Sequence, residues 1–128
     1  MFLFGKKKEK SEKTAQPDTQ VNREELIQKA EETIQKLNKT QGDARIDLLN
    51  EIGSLYFQAN EYDKAITYYE ESFEMKKVMG KSYTDLMSLY NKKRQLAAEA
   101  KDDEQISYYL AKVQEMMQIS KDMLRGKM

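Results

Sequence analysis

The chain has 128 residues with 22 basic and 22 acidic side chains, no cysteine and no histidine. It is long enough for one modest core. The composition excludes disulfides, thiolate chemistry and histidine-based acid–base work, and zero net charge leaves no overall basic field for nucleic acid. A metal site would have to use carboxylates alone.

The first stretch, "MFLFGKKKEK", is followed by Pro17 among Ser, Thr, Gln and Asp. Residues 1–21 carry no helical periodicity and are expected to form a mobile basic tail ahead of a helical domain over 22–125. The apolar run is too short for a secretory signal, and its lysines follow rather than precede it. Phe2, Leu3 and Phe4 beside Lys6, Lys7 and Lys8 have the chemistry of weak, shallow contact with an anionic membrane face. No run approaches the eighteen or so apolar residues of a membrane-spanning helix.

The first helix is expected from Asn22, with Asn22 as cap and Glu25 completing a capping-box pattern. Leu26, Ala30, Ile34 and Leu37 share one face. Gln41-Gly42-Asp43 breaks the pattern, and Asp43 reads as the cap of a second helix that ends near Asn60 and carries Leu49, Ile52, Gly53 and Tyr56 inward. A third helix starts near Tyr62, turns Ala65, Tyr69, Ser72 and Phe73 inward, and stops around Gly80. Ser82 with Asp85 reads as the next cap, ahead of a fourth helix bearing Tyr83, Leu86, Met87, Tyr90, Leu96 and Ala97. Asp102-Asp103-Glu104 marks the start of a fifth helix, because negative charge favours a helix N-terminus. There Ile106, Leu110, Val113, Met117 and Leu124 are expected to face the preceding hairpin, running on to Gly126. Tyr109, Met116, Ile119 and Met123 would then form a second, outward apolar strip for a partner or a second copy of the chain.

Periodicity gives the strongest signal. Leu49-x-x-Ile52-Gly53-x-x-Tyr56 recurs as Tyr83-x-x-Leu86-Met87-x-x-Tyr90, 34 residues later. The turn Asn60-Glu61-Tyr62 matches Lys101-Asp102-Asp103, 41 residues later, so the second unit has gained seven residues, nearly two helical turns. A competing match, Ile66-Thr67-Tyr68-Tyr69 on Ile106-Ser107-Tyr108-Tyr109, is 40 residues apart; the seven-residue gain is preferred because it keeps the buried faces in phase.

On these residues the chain resembles the tetratricopeptide repeat family. The likeness is clear over about 44–79, through Leu49, Ile52, Gly53, Tyr56, Tyr62, Ala65 and Tyr69, and weaker over 80–124, where Met87 replaces the preferred glycine. The resemblance implies an all-α, right-handed stack of antiparallel helical hairpins, about five helices here, whose concave groove binds a peptide or protein. Carried onto this sequence, the groove would use Asn50, Ser54 and Phe57 of the first unit, beside Asp47. From the second it would use Lys81, Thr84, Ser88 and Asn91, with Lys92 close by.

Catalysis finds no footing: Glu70-Glu71 and Asp102-Asp103-Glu104 are adjacent residues that diverge on a helix, and the serines have no histidine. Lys92-Lys93-Arg94 near Tyr90 could meet phosphates, yet reads better as a solvated face. The expectation is a cytoplasmic, non-catalytic interaction module with a protein or peptide partner, no cofactor and no metal. The alternatives are a membrane-peripheral adaptor held at the inner membrane surface by its tail, and a nucleic-acid-associated helical protein.

Overall fold

The computed structural model describes residues 20–126, with side chains from Asn22 onward. Phe2, Leu3, Phe4, Lys6, Lys7 and Lys8 lie outside the described residues. Five α-helices follow one another: α1 (Gln20–Ile34), α2 (Gly42–Gln58), α3 (Tyr62–Met75), α4 (Lys81–Glu99) and α5 (Asp103–Leu124), with a short 3-10 turn at Leu37–Lys39 between the first two. Each helix packs chiefly on its sequence neighbour, which makes an all-α stack of helical hairpins.

Local chemistry sets the boundaries, not always where the sequence suggests. α1 starts two residues early, because Gln20 and Val21 continue the helix, so Asn22 sits inside its first turn and not at the cap position. Gly42 turns the chain into α2 with φ +66°, which moves Asp43 from the cap into the first turn. There its charge still meets the positive helix end. α3 closes at Met75, five residues before Gly80. Gly80, not Ser82, precedes α4; Ser82 is buried inside the helix. Asp102 does cap α5, accepting a bond of 3.1 Å from the Gln105 N–H.

The two hairpin turns are built alike. Asn60 and Lys101 both adopt left-handed backbone, with φ of 63° and 58°. The Glu61 N–H donates to the Tyr56 carbonyl (2.8 Å) and the Asp102 N–H to the Ala97 carbonyl (2.9 Å). Asn60 and Lys101 donate in turn to the carbonyls of Phe57 and Ala98. Both ends are Schellman closures, and every pair is 41 residues apart.

The core runs through all the hairpins: Leu49, Ile52, Tyr56, Ala65 and Tyr69 in the first, and Leu86, Leu89, Tyr90, Val113 and Met116 in the second. Tyr62 and Tyr83 are half-buried against it. Leu55 and Leu89 occupy equivalent buried positions that the repeat pattern alone did not single out. At the centre, the fully buried Tyr69 ring lies flat on the backbone of Gly53. A Cβ at that glycine would stand 3.0 Å from three of the ring carbons. The ring is locked by its neighbours, so it cannot withdraw. Gly53→Ala is therefore expected to cost a net of about 1–2 kcal/mol, overpacking outweighing alanine's better helix propensity. Urea denaturation reads this directly, and an unchanged or raised midpoint would contradict the close contact.

The second hairpin lacks this socket. Met87 stands in the position of Gly53, and α5 packs with a different side turned in. Its buried residues are Val113 and Met116, with Ile106, Tyr109, Ile119 and Met123 half-buried, while Leu110, Met117 and Leu124 are exposed. The turns match at 41 residues, but the buried face of α5 follows the 40-residue match, Tyr69 to Tyr109 and Phe73 to Val113. That difference of one residue is a rotation of about 100° around the helix axis. Tyr109 consequently approaches Tyr90, ring centroids 6.3 Å apart, and the Tyr83 hydroxyl donates to the Met116 carbonyl at 3.4 Å.

Candidate functional site

A trough runs between α2 and α4, open to solvent and about 490 Å³ in volume. Five residues expected in the groove line it: Ser54 and Phe57 from α2, and Lys81, Ser88 and Lys92 from α4. Gln58, Asn60, Tyr62 and Asp85 line it as well, and the groove expected from the sequence did not include them. Lys81 and Asp85 stand at the i,i+4 spacing of a helical ion pair, a signal available from the sequence. Asn60 and Tyr62 reach the trough because the α2–α3 turn folds over its end.

Three expected groove residues lie elsewhere. Asn50 turns toward α3, where its side-chain amide oxygen accepts from the buried Ser72 hydroxyl at 2.7 Å. That bond satisfies a hydroxyl that would otherwise be orphaned in the core. Thr84 is exposed and does not line the trough. Asn91 bonds its own helix, donating to the Met87 carbonyl (3.1 Å) and accepting from Arg94 (3.2 Å). It lines an adjoining hollow on α4 with Ser88, Lys92, Arg94, Gln95 and Ala98.

The walls differ in character. Phe57 and Tyr62 meet edge to face, centroids 6.2 Å apart, and the Lys92 ammonium sits 6.0 Å above the Tyr62 ring. The Tyr62 hydroxyl donates to the Asn60 side-chain oxygen at 3.2 Å. On the α4 side, the Asp85 carboxylate accepts from Lys81 (2.9 Å) and from the Tyr69 hydroxyl (2.5 Å), which ties the trough to the core. Burial, reinforced by Asp85, raises the Tyr69 pKa far above its ordinary value, so the phenol stays protonated. Tyr90 mirrors it across the α3–α4 interface, donating to Glu70, and is raised for the same reason.

The strip expected to dock a partner is inverted by the rotation of α5. Met116 is buried, and Tyr109, Ile119 and Met123 pack against the core; the outward apolar residues are Leu110, Met117 and Leu124. The basic triplet is also divided. Lys93 pairs with Asp63 at 2.9 Å and lies over the Tyr109 ring, so only Lys92 and Arg94 face the α4 hollow.

Among the described residues no cluster of three or more carboxylates could hold a metal ion, and no helix is long and apolar enough to cross a membrane. No family model, no curated protein and no solved structure matches the chain.

Proposed function

We propose that this chain is a non-catalytic, tetratricopeptide-like interaction module of the cytoplasm, which binds a peptide or protein segment in the trough between α2 and α4. The observation that carries the reading is the convergence of Ser54, Phe57, Lys81, Ser88 and Lys92, from two helices 34 residues apart in pattern, on one open trough. Its equipment suits a peptide. Phe57 and Tyr62 offer an apolar wall for a side chain, while Asn60, Gln58 and Lys92 supply polar groups for a backbone. Asn60 is held by the Tyr62 hydroxyl, Gln58 by Ser54 and Asp85 by Tyr69, so these groups need little ordering on binding.

The test is a random heptapeptide library displayed on phage and panned on the full chain, with the selected peptides then titrated by fluorescence anisotropy. Ser88→Arg, which fills the trough from an exposed position, is expected to weaken binding about tenfold or more with melting unchanged. Undiminished binding by Ser88→Arg would place the peptide elsewhere and overturn the reading.

A further inference from the structure

Six lysine or arginine side chains among the described residues are half-buried: Arg23, Arg45, Lys92, Lys93, Arg94 and Lys112. Four of them face carboxylates: Arg23 meets Glu61, Arg45 meets Glu71, Lys93 meets Asp63, and Lys112 meets Glu70 and Glu115. Among the described residues Lys92 and Arg94 have no acidic partner; Lys92 rests on a tyrosine ring, and Arg94 donates to Asn91. The Arg94 Nε atom is buried with no hydrogen-bond partner among the described residues. Half-buried cations lose hydration, and elsewhere this fold returns it as a carboxylate. Here the place of the carboxylate is open to solvent.

Geometry connects these two cations to the trough. The trough and the adjoining hollow share Ser88 and Lys92, so they form one continuous channel along α4. α2 ends at Gln58, but α4 continues seven residues beyond the equivalent point, to Glu99. From Lys81 to Ala98 the channel is roughly 25 Å long at the rise of an α-helix, the span of about seven extended residues. The half beside α2 offers the Phe57–Tyr62 wall. The half around the start of the extension offers Lys92, Arg94 and the amides of Asn91 and Gln95.

We infer that the hollow at the start of the α4 extension is an acidic-side-chain subsite, and that the ligand is an extended peptide segment carrying an Asp or Glu within a few residues of a large apolar side chain. The apolar group lies on Phe57 and Tyr62, and the carboxylate enters the hollow that Lys92 and Arg94 both line, where neither has an acidic partner among the described residues. The inference rests on the trough being the binding surface. A nucleic acid backbone fits less well, because Asp85 lines the same channel and would repel a continuous polyanion.

The phage-selected heptapeptides decide it. Expected is enrichment of Asp or Glu near Leu, Ile or Phe, with the amide versions (Glu→Gln, Asp→Asn) binding the full chain about tenfold more weakly. Lys92→Gln and Arg94→Gln should each cause a similar loss, Arg94→Lys should retain much of the affinity, and Lys29→Gln on α1 should change nothing. Binding should also weaken as salt rises. Thermal melting of each variant separates lost contact from lost fold. Selected peptides that ignore the amide swap and both glutamine variants, yet are blocked by Ser88→Arg, would overturn the acidic subsite and leave the trough reading standing. Failure to select any peptide would overturn both. A single-stranded oligonucleotide that binds more tightly than the peptides, and loses affinity in Lys92→Gln, would overturn the peptide assignment.

Discussion

Tyr69→Ala is expected to lower the stability of the chain by about 3–5 kcal/mol, the loss typical of deleting a buried aromatic side chain. The ring is fully buried and fills the gap that Gly53 leaves between α2 and α3, so no neighbour can collapse into the space. For a domain whose whole stability is of the order of 5–15 kcal/mol, that approaches unfolding at room temperature. Tyr69→Phe keeps the ring and removes the hydroxyl with its bond to Asp85, which Lys81 still partners. Its expected cost is about 1 kcal/mol. Urea titrations of the two variants measure the difference. A small loss in Tyr69→Ala would mean that the α2–α3 contact is not the centre of the core.

Alkaline pH is expected to unfold the protein steeply, for a reason that can be followed through its sign. Burial, and a carboxylate partner in each case, raise the pKa of Tyr69 and Tyr90 far above the ordinary tyrosine value of 10.0. Below pH 10 both phenols are protonated in the folded and unfolded chains alike, and their contribution is constant. Above it the unfolded chain releases two protons that the folded chain keeps. Stability then falls by about 1.4 kcal/mol per tyrosine for each pH unit, or about 2.7 together. Denaturation midpoints between pH 9 and pH 11.5 should show at least this slope, lower by about 1.4 kcal/mol per pH unit in Tyr69→Phe. A profile flat to pH 11.5 would mean that one or both hydroxyls reach water.

Much of the fold is legible in the sequence because close packing leaves a mark in residue size. Gly53 opposite Tyr69 and the paired Tyr56 and Tyr90 identify the hairpins, and Asp102 announces its helix as a cap should. The misplaced caps at Asn22 and Ser82 have a shared cause. A side chain that can cap does so only where the backbone leaves the helix, and here the helix begins earlier. The face of α5 is the more instructive failure. Leu110 and Met117 continue the apolar phase of the first unit, so hydrophobicity alone turns them inward. In the fold the ring of Tyr109 takes the inward place instead, beside Tyr90. In the trough, Ser54, Phe57, Lys81, Ser88 and Lys92 follow from the repeat, because positions opposite a packing face must be open. Asn50 does not, since its partner Ser72 lies on another helix and no local pattern records that pair.

The identical closures at Asn60 and Lys101 separate two properties that most folds bind together. A turn displaced by seven residues meets α4 in almost the same phase, so its hydrogen bonds are unchanged, although α5 then leaves it rotated by about 100°. Reach thereby becomes a variable of its own. A lineage could lengthen or shorten the arm in steps of seven and alter how much surface α4 offers, while the contact between Gly53 and Tyr69 continues to set whether the protein folds.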